Sequence, residues 1–286
     1  HTAAAKTYLQ LIDKLHCVWA CGLTATKVRE DGELEKLESR FNKVPEDLNV
    51  HIIDRRQLVQ RGFVANVRVM HLIVEYIALP DLQCVIGTHR CLSLHPHKIQ
   101  VLMSSLQELC KNMHKTIVFC DDLFALNWVL RIANANEIPN VGQVTMKTPQ
   151  DERSDILKQF SQSQAPMALF MSRTGDEALD LPSATASIVF WNNWASRRQI
   201  VQRIGRLARP YSGTQPIFIV ILADERKELE NSMHREEYLK EHGFAIEKCR
   251  QEDTPFGVQH LKLGENYTAQ LLMAWKDRNQ KMTRKS

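Results

Sequence analysis

Short apolar runs alternate with amphipathic stretches along almost the whole chain, and this alternation limits the available folds more than any other property of the sequence. Strand-like runs fall at Cys17–Gly22, Val67–Ile77, Lys115–Cys120, Val141–Met146, Pro166–Ser172, Ala186–Trp191 and Pro216–Leu222. Helix-like stretches fall at Ala4–Leu15, Glu33–Phe41, Lys98–Asn112, Leu123–Asn134, Pro149–Ser161, Ser196–Leu207, Ala223–Glu241 and Tyr267–Lys276. Runs that are apolar throughout suit strands buried on both faces, and the helices between them suit the crossovers that parallel pairing needs. The pattern predicts an α/β fold with a mainly parallel sheet. Pro149 fits the first turn of its helix. One segment breaks the alternation. Residues Ala78–Pro96 hold two prolines, one glycine and no clear period, and read as a hinge or domain boundary.

The bulk numbers are those of an ordinary globular chain. At 286 residues there is room for about two domains. Apolar residues make up 44% and charged residues 24%, and no apolar run approaches membrane-spanning length, so no membrane partner is expected. The seven cysteines form no CxxC pair and the eleven histidines form no ligand pattern, so buried free thiols are expected and no metal site. A net charge of +4 decides little, but its distribution does. Leu181–Ala223 contains no acid and no lysine, yet five arginines lie between Arg197 and Arg209. The tail from Lys276 to Ser286 sets five basic residues against Asp277; it is either a solvated tail or a source of phosphate affinity.

Crowded guanidinium groups repel one another and call for an external anion. Arginine rather than lysine suits two-toothed recognition of phosphate oxygens. The spacing Gln202-Arg-x-Gly-Arg-x-x-Arg209 puts Arg203 and Arg206 one turn apart on a helix, with Pro210 ending it. Polar motifs follow other strands: Thr24 and Thr26, Asp121 and Asp122, and Arg173-Thr-Gly-Asp176. In an α/β sheet these positions form the ligand-binding crest at the strands' carboxyl ends.

These residues resemble the motifs of superfamily 2 helicases, in order. Gly22-Leu-Thr-Ala-Thr26 is similar to motif III, Thr116-Ile-Val-Phe-Cys-Asp-Asp122 to motif IV, Thr174-Gly-Asp-Glu-Ala-Leu-Asp-Leu-Pro182 to motif V, and Gln202–Arg209 to motif VI. Arg29-Glu30-Asp31, Ser196-Arg-Arg-Gln199 and Ser232–Gly243 resemble the XPB family of this superfamily, the translocase type of the transcription and repair factor TFIIH. His1 suits the last position of a DExH box, or is an appended residue.

The resemblance implies a RecA-like second helicase lobe, a parallel sheet flanked by helices, preceded by the end of the first lobe. It assigns residues 1–77 to the first lobe, 78–96 to a hinge or shortened thumb, 97–223 to the second lobe and 224–286 to a helical extension with a basic tail. It implies an ATP-dependent 3'-to-5' DNA helicase or translocase acting in promoter opening and nucleotide excision repair in the nucleus. The cofactors would be ATP and Mg2+, the magnesium being held by residues outside this chain. The partners would be double-stranded or forked DNA, and other TFIIH-type subunits or a repair nuclease.

Residue roles follow the motifs. Arg206 and Arg209 match arginine fingers, and Gln202 orients the γ-phosphate or water. Gly175, Asp180 and Arg203 fall among the nucleotide contacts. Asp180 also suits a helix cap or turn acid, and Arg203 a structural ion-pair partner. Thr24, Thr26, Arg29, Glu30, Asp31, Ser172 and Thr174 fall among the DNA contacts, although turns and helix caps account for several of them. Asp121 or Asp122 reads as the cap of the Leu123 helix. Trp191 and Trp194 suit either base stacking or core packing. The chain departs from the family in having no Gly-x-x-x-x-Gly-Lys-Ser/Thr phosphate loop and in the linker Phe190-Trp-Asn-Asn-Trp194. The family function therefore belongs to a longer protein, and this chain alone is expected to be inactive. A non-catalytic paralogue or scaffold that binds protein partners is the alternative.

Overall fold

The apolar runs become parallel strands. The computed structural model describes residues 55–172, 184–191, 197–208, 214–256 and 266–283, which belong to a unit spanning Asp54–Ser286. The strand expected at Cys17–Gly22 and the helices expected at Ala4–Leu15 and Glu33–Phe41 lie outside the described residues. In chain order the elements are α1 (Arg55–Gln60), β1 (Arg68–Val74), α2 (Pro80–Ile86), α3 (Thr88–Ser93), α4 (Pro96–Lys111), β2 (Lys115–Cys120), α5 (Leu123–Ala135) and β3 (Asn140–Val144). They continue as α6 (Gln150–Gln162), β4 (Met167–Met171), β5 (Ala186–Trp191), α7 (Arg197–Gly205), β6 (Ile217–Ala223), α8 (Arg226–Glu241), β7 (Ile246–Arg250) and α9 (Tyr267–Thr283).

The strands form one seven-stranded sheet in the order β3-β4-β2-β5-β6-β1-β7, and every pairing is parallel. Alternate residues feed two cores. In β2, Ile117 and Phe119 join the layer beneath α6, α7 and α8, whereas Val118 and Cys120 join the layer with α4 and α5. The buried Cys91 and Cys120 behave as small apolar groups, and burial pushes both thiols up. Cys84 is exposed, contrary to the expectation of uniformly buried thiols.

Four expectations are corrected. First, β1 lies between β6 and β7, its Val69 opposite both Phe218 and Ile246. The boundary expected after residue 77 therefore does not separate it from the sheet. Second, the aperiodic segment holds α2 and α3 and is pinned at its base. His95 Nε2 lies 3.1 Å from Ile77 O and His97 Nδ1 lies 2.9 Å from Glu75 O. Burial lowers the His95 pKa to about 4, so its ring is neutral at pH 7. Third, β7 (Ile-Glu-Lys-Cys-Arg) has no apolar run, because it is an edge strand, where charge is tolerated. The region after residue 223 is thus partly sheet. Fourth, Pro149 is the N-cap of α6 rather than a first-turn residue.

Helix α9 is fastened to α3 and α5 by aromatic and cationic side chains. Trp275 meets Phe124 edge-on at 4.9 Å, with the guanidinium of Arg90 4.7 Å from the Trp275 ring centre. The Tyr267 hydroxyl donates to Leu94 O at 2.8 Å. Leu271 is fully buried in this contact, whereas Met273 is 66% exposed. Leu271→Ala should lower the unfolding free energy by about 2–4 kcal/mol, and Met273→Ala by no more than about 0.5 kcal/mol. Urea denaturation of the two variants checks this, and equal losses would show that α9 is not part of the cooperative fold.

Candidate functional site

The arginine-rich segment follows β5. Its helix α7 packs Ile200 and Ile204 into the core while presenting polar side chains to the end of β2. Arg203 is the centre of this arrangement. Its Nη2 donates to Asp121 Oδ1 at 2.8 Å, and both side chains are essentially sealed from solvent. Its guanidinium carbon stands 4.4 Å from the Phe119 ring centre, so the plane is both ion-paired and stacked. Arg203 therefore serves as a structural ion-pair partner, and the nucleotide-contact role is corrected: a fully buried guanidinium committed to Asp121 is not displayed to a ligand.

The adjoining Asp122 does a different job. Its Oδ1 accepts from Ala125 N at 2.9 Å as the N-cap of α5, and its Oδ2 meets Arg90 Nε at 2.8 Å. The two acids that follow β2 thus divide into a helix cap, Asp122, and an anchor for α7, Asp121. Gln202, in α7, and Arg206, just past its end, are half-buried. Beyond them Ala65 N donates to Ala208 O at 2.8 Å, which holds the end of the arginine segment beside the approach to β1. Gln202 and Arg206 are thus only partly buried, unlike Arg203 between them.

Ser172 closes β4, where its backbone N donates to Val144 O at 3.1 Å. Its side chain is only 4% exposed, which corrects its expected place among accessible DNA contacts. Thr24, Thr26, Arg29, Glu30, Asp31, Thr174, Gly175, Asp180, Arg209 and Trp194 lie outside the described residues, as does the side chain of Trp191. Among the described residues no group of three or more His, Cys, Asp or Glu side chains is arranged to hold a metal ion, and no helix is long and apolar enough to cross a membrane.

Sequence reasoning did not find two further buried charge clusters. Lys98 Nζ donates to Glu228 Oε1 at 2.6 Å, while Ala223 N donates to Glu228 Oε2 at 3.2 Å. These bonds join α4, β6 and α8. Their sequence signal is faint: a lone lysine in an apolar helix face, and an acid three residues past the cap Glu225. In the other cluster Glu236 meets His71 Nδ1 at 3.1 Å and Lys248 Nζ at 2.7 Å. Burial acts to raise the Glu236 pKa, but the hydrogen bonds from His71 and Lys248 outweigh it and bring the value to about 2. Burial pushes His71 down, against the pull of Glu236, and favours the neutral ring.

Against known proteins, the family model described as the ERCC3/RAD25/XPB C-terminal helicase matches residues 58–285. The chain belongs to the XPB helicase family. An XPB helicase/translocase subunit of the general transcription and DNA repair factor IIH from Enterocytozoon bieneusi is 29% identical over 86% of this chain and 40% of its own length. The XPB/SSL2 subunit from Saccharomyces cerevisiae is 27% identical over 86% of this chain and 29% of its own length. The chain thus spans well under half of these XPB relatives. Among solved structures, the L327V variant of S. cerevisiae Dbp5 bound to RNA and ADP BeF3 has 12% identity over 86% of this chain and 54% of its own, with a TM-score of 0.56. The C-terminal domain of Dbp5 has 11% identity over 66% of this chain and 93% of its own, with a TM-score of 0.51. At this identity the likeness is one of fold: the XPB-family sheet described above is a RecA-like helicase second lobe.

Two outcomes follow from the charge clusters. Asp121→Ala leaves Arg203 buried without its carboxylate and should cost about 3–5 kcal/mol, against about 1 kcal/mol for loss of the Asp122 cap in Asp122→Ala. Chemical denaturation measures both, and the reverse order would remove Asp121 from its anchoring role. For Glu236 the folded pKa is depressed, so its contribution to stability is complete above the ordinary glutamate range and fades as pH falls towards about 2. Wild type should therefore lose stability through this window more steeply than Glu236→Gln, as followed by unfolding free energy against pH. Parallel curves would contradict the assignment.

Proposed function

We propose that this chain is the carboxyl-terminal half of an ATP-dependent DNA translocase or helicase of the XPB type, working in promoter opening and nucleotide excision repair in the nucleus. The family match over residues 58–285 carries the reading. The first lobe supplies the phosphate loop and the carboxylates that hold magnesium. Magnesium and ATP supply the phosphoryl-transfer chemistry when bound.

Within this chain, Arg206 and Arg209 act as fingers on charge that develops on the γ-phosphate, and Gln202 orients the attacking water or the phosphate. Asp121, through Arg203, holds helix α7, which carries Gln202 and ends just before Arg206. Asp180 and Gly175 lie against the nucleotide. Thr24, Thr26, Arg29, Glu30, Asp31 and Thr174 contact the DNA or the fork, where backbone contacts position a strand without reading its sequence. Closing and opening of the cleft moves one grip past the other in the 3'-to-5' direction. DNA binding on this reading is salt-sensitive and nearly sequence-blind. TFIIH-type subunits or a repair nuclease are the protein partners.

In a protein that joins this chain to its first lobe, Arg206→Ala should reduce DNA-stimulated ATP turnover by about 10³-fold or more, with ATP binding nearly unchanged. The 286-residue chain by itself should hydrolyse no ATP. Steady-state turnover and nucleotide binding measured on the same preparations decide the matter. Equal turnover in wild type and variant would reject the finger, and a joined protein that binds partners but never hydrolyses ATP would point to a scaffold.

A further inference from the structure

A small crevice lies beyond the carboxyl ends of β5 and β6, with α3 on one side and α8 on the other. Its volume is about 240 Å³, below the roughly 300–1,000 Å³ of sites for organic ligands. Arg235 of α8 lines it, 4% exposed, and its Nε has no hydrogen-bond partner. A buried cation in this condition is costly unless an acceptor reaches it.

The carboxylates whose charges act on Arg235 are already committed. Glu228 accepts from Lys98 and from Ala223 N, Asp121 from Arg203, and Glu236 is matched by Lys248. Glu225 also lines the crevice, but its carboxylate caps α8 by accepting from Glu228 N at 3.0 Å. At the mouth stand Lys227 and Asn231, both exposed, eight and four residues before Arg235 on the same helix α8, which add donors along one face of it.

We propose that this crevice binds a single phosphate-type oxyanion, with Arg235 as the buried contact and Lys227 and Asn231 as donors at the rim. A row of donors along one helix face suits an oxyanion that accepts several hydrogen bonds, and the volume of about 240 Å³ suits a small anion. The oxyanion is either free phosphate or a phosphodiester of a nucleic-acid strand. This site does not depend on the ATPase reading and stands or falls without a turnover assay.

The test is titration of the full 286-residue chain with inorganic phosphate at constant ionic strength, with chloride as control, followed by calorimetry and thermal unfolding. Wild type should show saturable binding and a matching rise in melting temperature. Asn231→Glu places a carboxylate at an exposed rim position, where folding is not at risk. It should weaken phosphate binding by about tenfold or more, the ratio that goes with loss of one charge-assisted hydrogen bond. Arg235→Gln should abolish binding and Arg235→Lys retain part of it; if Arg235→Gln does not fold, Asn231→Glu decides. Competition between phosphate and a short DNA duplex, together with weaker duplex binding in Asn231→Glu, would assign the site to the phosphodiester. Duplex binding indifferent to both would assign it to free phosphate. No saturable response in wild type, or the same response in wild type and Asn231→Glu, would overturn the proposal.

Discussion

The ion pair between Asp121 and Arg203 fixes the rest of the site. A guanidinium sealed in the interior is tolerable only with a carboxylate in place, and this one has Asp121 at 2.8 Å and the face of Phe119 behind it. Asp121 is set by the end of β2, and β2 is set by strands on both sides. Arg203 is therefore held at a given height above the sheet, and α7 with it. Gln202 precedes Arg203 in α7 and Arg206 lies just past the end of that helix, so their positions follow. The pair is best seen as a fixture of geometry rather than a source of net stability, since desolvating two charges offsets much of their attraction.

The same logic extends along the carboxyl edge of the sheet. Lys98 and Glu228 tie α4 to α8, and Glu236 ties α8 to β1 and β7 through His71 and Lys248. Helix α8 is thus charge-fastened to both sides of the sheet, although its sequence is strongly polar. The membership of the XPB family and the buried charges point in the same direction: the arginine helix is held by its neighbours, not by its own propensity.

Element identity was largely legible in the sequence because a parallel strand buried on both faces is a short apolar run, and such runs are conspicuous. β2 and β5 have the bounds that the runs suggested, and β1, β3, β4 and β6 differ at their ends. The missed elements are those whose burial is one-sided or local. β7 is an edge strand with charged side chains, so no apolar run marks it. α2 and α3 are short helices separated by Gly87, and their irregular sequence concealed two stretches of regular backbone. The placement of β1 beside β6 and β7 was invisible for another reason: strand order is a property of the sheet, and a run of apolar residues does not state its neighbours.

At the site, the sequence by itself determined the chemistry on offer: an arginine-rich, acid-free segment after a buried strand, preceded elsewhere by a strand ending in two aspartates. It also determined the family, because ordered motifs survive as local words in the chain. Only the tertiary structure decided which aspartate caps a helix and which anchors an arginine, that Arg203 and Ser172 are buried, and that Arg206 stays partly accessible. The physical reason is that burial and pairing arise between residues far apart in the chain. Asp121 meets Arg203 and Lys98 meets Glu228 only after the sheet has brought their elements together.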